Sequence, residues 1–162
     1  MCAVNRGKQF EDKVESGMQA VPDVYVRRLY DPQGGQLGVA NPCDFDVYKE
    51  PRFYMIECKS THENTLAIYS PNPKKKYGAI SNTQWEGMLY ASQFKVVAGV
   101  ICWWIEKDIT RFLPIQELEK YRNAGHKSIR YDYELPNSLI IKGEKLRIFY
   151  KYDFTEFFEK YY

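Results

Sequence analysis

The sequence predicts a mixed α/β fold, a central sheet with helices packed on it. Apolar segments follow the order helix, strands, helix, strand, strand, helix, which is the pattern of a mixed sheet. One segment, VVAGVICWWI (Val96–Ile105), is apolar without interruption, as a strand covered on both faces must be. The chain has 162 residues, of which 44% are hydrophobic, enough for one domain with a sizeable core and too apolar for a disordered segment.

Each element has a local cause. Asn5 is a candidate cap for a first helix running to about Gln19, with Phe10, Val14 and Met18 on one stripe and Pro22 as a stop. VYVRRLY (24–30) alternates like a strand, and DPQGGQLGVANP, with glycines at 34, 35 and 38, is a loop. DFDVYK and FYMIECKS read as a hairpin around Glu50–Arg52, and TLAIYS as a further strand. SNTQWEGMLYASQF (81–94) has a polar start and places Trp85, Met88, Leu89 and Ser92 on one helical face. After the central strand come TRFLPI, a short helix QELEKYRNAG ending at Gly125, and a strand pair SLIIKGEKLRIFYKY turning at Lys142–Glu144. An aromatic helix, FTEFFEKYY, closes this order as either a covering helix or a contact between two copies.

Composition excludes several classes. No apolar run reaches the roughly 18 residues of a membrane span, and the start MCAVNRGKQFEDK has no signal-peptide core, so a cytoplasmic protein without membrane contact is expected. The cysteines, Cys2, Cys43, Cys58 and Cys102, form no CxxC pair, and His62 and His126 lie far apart, which argues against a zinc site. Cysteines in or beside apolar stretches are expected as buried free thiols. No Ser-His-Asp set is present. His126 sits in a polar turn, where a solvated histidine is expected, and Trp103-Trp104 lies inside a strand, where core packing is expected. The net charge of +2 does not announce a polyanion partner, but Arg27-Arg28 and Lys74-Lys75-Lys76 are local basic clusters.

The informative stretch is CDFDVYKEPRFYMIECKS (43–60). Charged groups beside a core are costly unless paired or bound to a metal, so its acids form either a salt-bridge cluster or a site. Strand alternation puts Glu57 and Lys59 on one face and Cys58 on the other. A hairpin of suitable register brings Asp44 beside them. Two carboxylates, with the Cys58 carbonyl between them, are hard oxygen donors suited to Mg²⁺, which eases deprotonation of a bound water, and a lysine can orient that water or offset charge on a phosphate. Glu11, at the edge of the first helix, is a candidate fourth group. Gln84, near the start of the second helix, is a candidate to hold the lysine or the phosphate. Asp46 is either a second ligand or an exposed partner for Lys49 or Arg52. Arg27 and Arg28 point to opposite faces of their strand, so one surface meets at most one of them.

These residues, taken with other landmarks, resemble the RecU-type Holliday junction resolvases of the PD-(D/E)xK nuclease superfamily over most of the chain. NRGKQFEDKV resembles the family's N-terminal NRG…E segment. Asp44, Glu57 and Lys59 match its D-x(12)-E-x-K spacing. SNTQWEGM resembles its glutamine-bearing helix, NAGHKSI its G-x-K-S-I segment, and LRIFYKY its final strand. The resemblance implies a restriction-endonuclease-like fold and one nuclease domain over residues 1–162. It implies a Mg²⁺-dependent endonuclease, with Mn²⁺ able to substitute, that acts as a homodimer on four-way DNA junctions. Asp44, Glu57 and Glu11 then serve the metal, Lys59 assists the water, Gln84 stands at the helix glutamine, and Asn5 and Arg6 lie toward DNA; Arg27, Arg28 and Lys74–Lys76 are further candidates for DNA contact on their charge rather than on the resemblance. The family's projecting stalk, between first helix and catalytic aspartate, is short or absent here. That points to a compact phage-encoded member acting in the host cytoplasm. Another nuclease of the superfamily, nicking or restriction type, and a DNA-binding module without cleavage are the alternatives.

Overall fold

The computed structural model describes residues 6–30, 40–68 and 79–162. Asn5, the glycine loop, the end of TLAIYS and Lys74–Lys76 lie outside the described residues. The first helix, α1, spans Arg6–Gln19 and buries Phe10, Val14 and Met18, the stripe its spacing predicts. The strands β1 (Tyr25–Arg28), β2 (Phe45–Lys49) and β3 (Arg52–Thr61) form an antiparallel run, with Val26 opposite Val47 and Phe45 opposite Ile56. A short strand, β4 (Thr65–Ala67), leaves the main sheet. Helix α2 (Asn82–Ser92) precedes β5 (Val97–Trp104), which pairs parallel to β3 and antiparallel to β6 (Ile109–Pro114). Helix α3 (Ile115–Asn123) and β7 (Ser128–Arg130) follow, and β7 pairs with β4. Then come β8 (Leu139–Ile140), β9 (Gly143–Lys145), β10 (Tyr150–Tyr152) and helix α4 (Thr155–Lys160).

The main sheet runs β1-β2-β3-β5-β6-β8, so β5 lies inside it, as its apolar sequence requires. Alternation divides the side chains between two cores. Phe45, Val47, Ile56, Cys58, Ile101, Trp103 and Phe112 face α1 and α4, and Met55, Ala98, Val100, Cys102, Trp104 and Leu113 face α2 and α3. Both tryptophans are therefore core residues, one on each side. The aromatic helix covers the sheet. Phe157 and Phe158 are buried, and Phe157 meets Phe112 edge-on at 5.0 Å. Each such ring is worth about 1.5–3 kcal/mol of burial, plus about 0.5–1.5 kcal/mol for the pair geometry. Cys43, Cys58 and Cys102 are buried free thiols.

The last strand pair departs from its sequence reading. Residues Lys142–Glu144 are not its turn: Leu139–Ile140 extend the main sheet beside β6, and β9 pairs with β10 around residues 146–149. Gly143 belongs to a strand because backbone crowds it there; a Cβ at this position would sit 2.5 Å from the Lys151 carbonyl oxygen. The sequence cue of Gly flanked by charges marked a close approach, not a bend. The strand β7 also went unpredicted, since three residues carry too little periodicity.

Candidate active site

The site forms where β2 begins beside the middle of β3. Asp44 sits just before β2, and its main-chain N–H still continues the ladder to the Ile56 carbonyl at 3.0 Å. Its side chain then takes the next position: the Cys58 N–H donates to Asp44 Oδ2 at 2.7 Å. A carboxylate thus replaces a strand carbonyl and is held against β3 by the backbone itself. Glu57 and Lys59 point to the α2 side and Cys58 to the α1 side, as alternation requires.

Glu57 is only 1% exposed. Lys59 Nζ donates to its Oε1 at 2.5 Å, and Gln84 Nε2 donates to the same oxygen at 2.7 Å. Gln84 is fixed from its other end by a capping box: its Oε1 accepts the Ser81 N–H at 2.9 Å, and the Ser81 hydroxyl accepts the Gln84 N–H at 3.2 Å. The start of α2 is therefore tied directly to the glutamate. The second oxygen, Glu57 Oε2, is buried with no hydrogen-bond partner. Burial first, and the Asp44 charge second, push this carboxyl up to about 8.

Glu11 reaches the same cleft from α1. Desolvation and then Asp44 raise its carboxyl, against the opposing pull of Arg28. Arg28, whose side chain is 9% exposed, pairs with Glu11, with Asp12 at 2.5 Å and with Glu15 at 3.5 Å. Burial alone would lower its pKa, but the bonds to Asp12 and Glu11 raise it. Glu11, Arg28, Asp44 and Gln84 line one cleft of about 320 Å³, along with Lys8 and Tyr30.

The predicted residues thus divide. Asp44, Glu57, Lys59, Gln84 and Glu11 converge on one place. Arg27 lies across the sheet from Arg28 and pairs with Asp46, which corrects the expectation of Lys49 or Arg52 as that acid's partner: the β1–β2 register sets Arg27 directly opposite Asp46. Arg6 stands at the α1 terminus, 3.4 Å from the His62 ring, whose other nitrogen meets Glu106 at 2.8 Å. Sequence reasoning missed the role of Arg28 as the counter-ion of α1. Glu11 and Glu15, one helical turn apart, were the available signal. His126 is exposed and stacks on Tyr121 at 4.1 Å.

The donors fit a hard divalent cation. Among the described residues no group of three or more histidine, cysteine, aspartate or glutamate side chains is placed to hold a metal ion. Magnesium does not require one, since it keeps waters and is commonly held by one or two carboxylates plus substrate phosphate. The fit rests on Glu57 Oε2, a buried oxygen without a protein donor beside a second carboxylate, where a cation is one group that can satisfy it.

This arrangement is a restriction-endonuclease-like α/β fold, a central mixed sheet flanked by helices. The chain is similar in structure to the Holliday junction resolvase Hjc of the archaeal hyperthermophile Archaeoglobus fulgidus, with a TM-score of 0.55 and 21% sequence identity over 83% of this chain and 95% of that one. No protein-family profile matches the chain. No curated protein sequence matches it. Among the described residues no helix is long and apolar enough to cross a membrane.

Proposed function

We propose that this protein is a Mg²⁺-dependent, structure-selective endonuclease that resolves four-way DNA junctions by paired phosphodiester hydrolysis. On this reading it is a compact, RecU-type, phage-encoded enzyme of one domain, working as a homodimer in the cytoplasm. The observation that carries the reading is Glu57 Oε2, buried and without a donor beside Asp44, while Lys59 and Gln84 occupy the other oxygen. The fold it shares with an archaeal junction resolvase adds to it.

Asp44 and Glu57 would hold the ion, with Glu11 and the Cys58 carbonyl completing the oxygen set. A bound Mg²⁺, or Mn²⁺ in its place, would supply a Lewis acid and a more acidic water. Lys59 neutralises one Glu57 oxygen and leaves the other for the cation. Its ammonium, held on Glu57, would offset negative charge that grows on the phosphate as the water oxygen bonds to phosphorus, the ester P–O bond breaks, and solvent takes the water's proton and protonates the leaving oxygen. Gln84 keeps the Glu57 carboxylate in one rotamer through the α2 cap. Arg28 keeps Glu11 in the cleft rather than in solvent. Two matched cuts on a two-fold substrate call for two sites related by a two-fold axis, which a homodimer supplies.

The deciding experiment compares a synthetic mobile four-way junction with linear duplex of the same sequence, with Mg²⁺ and with chelator. Symmetric nicks in the junction that require Mg²⁺ are expected. Equal cutting of linear duplex would replace this reading with a nicking or restriction-type nuclease, and junction binding without any cutting would replace it with a DNA-binding module.

A further inference from the structure

The sequence segment NAGHKSI has no part in the cleft, yet the structure builds a second concave site from it. Arg122, Asn123, Gly125, His126 and Lys127 line a cavity of about 480 Å³ where α3 turns into β7, and no acid is in its lining. Three features hold it in shape. Gly125 adopts φ +96°, the left-handed conformation that ends a helix, and the Gly125 N–H donates to the Arg122 carbonyl at 2.9 Å. His126 lies flat on the Tyr121 ring, 4.1 Å between centroids and 11° between planes. The Lys127 carbonyl accepts the Ile68 N–H at 3.0 Å, where the β4–β7 ladder begins.

Basic residues after a helix commonly do no more than complement the helix dipole. Here they are also coupled to the cleft. Arg122 stacks 4.3 Å over Trp85 and pairs at 2.8 Å with Glu119, which also accepts the Trp85 indole N–H at 2.6 Å. Trp85 follows Gln84, the residue that holds Glu57. A rigid path through α2 and α3 therefore fixes the basic cavity relative to the candidate catalytic carboxylate. The Lys127 ammonium makes no ion pair or hydrogen bond among the described residues.

We infer that this cavity is a DNA backbone subsite: it takes a phosphate of the bound nucleic acid away from the scissile bond, with Lys127 and His126 as donors and Arg122 as the stacked cation behind them. The inference rests on the proposed DNA-cleaving function and adds where on the surface an arm of the substrate is gripped. A planar imidazole preset by stacking and a lysine without an acidic partner suit a phosphate oxygen, and neither reads a base.

The test uses the full chain and a four-way junction of synthetic oligonucleotides, with chelator present so that binding is read without cleavage. Lys127→Ala and Lys127→Arg are compared with Lys120→Ala, which removes the same charge from the exposed side of α3. For Lys127→Ala, about a tenfold weaker junction Kd is expected, with the slope of log affinity against log salt reduced by about 1, the change for one lost phosphate contact. Lys127→Arg should restore both, and Lys120→Ala should alter neither. Each variant's melting temperature is measured, and the exposed Lys127 side chain leaves folding intact. Wild-type affinity and salt slope in Lys127→Ala would overturn the subsite while leaving the nuclease reading in place. Equal losses in Lys127→Ala and Lys120→Ala would reduce it to general charge attraction and overturn it as well. If the wild-type chain binds no DNA, the nuclease reading fails and the subsite fails with it.

Discussion

Two groups of acids flank the start of β2, and they are treated in opposite ways. On the α1 side, Glu11, Asp12 and Glu15 surround one guanidinium, that of Arg28. On the α2 side, Glu57 has one lysine and one amide on a single oxygen and nothing on the other, with Asp44 nearby adding to its burden. The first group is compensated within the chain, by a donor that forks toward several oxygens. The second is left short of positive charge in a dry place. On the proposed reading, this deficit is where a cation would bind. Glu11 joins the two groups, being paired in the first and facing the cleft of the second.

The contrast is broken or sharpened most strongly by Asp44→Asn set against Asp12→Asn. The first should lower Mg²⁺-dependent junction cutting by about 10³-fold, or about 4 kcal/mol in barrier, while junction binding persists, since shape is kept and charge lost. The second removes a half-exposed partner of Arg28 (52% exposed side chain) and should leave cutting at the wild-type rate. Comparable losses in both, read by single-turnover cleavage, would erase the distinction between the groups.

Next in size is Arg28→Ala, which leaves three carboxylates facing one another without their cation. A loss of about 2 kcal/mol in unfolding free energy is expected by urea titration, below the range for a fully buried pair because Asp12 is screened by solvent.

Glu57 should leave its mark on pH dependence. Its carboxyl ordinarily titrates at 4.5 and is pushed up to about 8 in the folded chain, chiefly by burial. Between those values the folded chain keeps a proton that the unfolded chain has lost. Its favourable contribution is therefore present in full below 4.5 and is lost as pH rises through about 8. Thermal melts of the metal-free protein should fall across this window, and Glu57→Gln should flatten that fall. A fall of the same size in the amide variant would assign it to other groups. The smallest effect is expected from Ser81→Ala, about 1 kcal/mol for a lost helix cap, with Gln84 then less firmly held on Glu57.

Much of this was legible in the residues. The stripe of α1, the alternation of β2 and β3, the unbroken apolar run of β5 and the pattern D-x(12)-E-x-K are local signals, and all five residues named for the catalytic cluster meet in the structure. Legibility failed where the deciding contact was distant. Gly143 reads as a turn because the strand that crowds it, at Lys151, cannot be seen from its neighbours. Asp46 reads as either a second ligand or a partner for nearby Lys49 or Arg52, whereas strand register sets it opposite Arg27, with which it pairs. Arg28 reads as a candidate DNA contact because nothing in its own strand reveals three carboxylates on a helix packed across it.

The sequence by itself determined which side chains share a face, because strand and helix periods follow from backbone geometry and need no partner. It also determined which segments must be buried, because the transfer of apolar surface from water depends on composition. Only the tertiary structure decided which acids would be neutralised and which left in want. That outcome depends on distances between elements and on how far water is excluded from each carboxylate, and neither is written in any single stretch of chain.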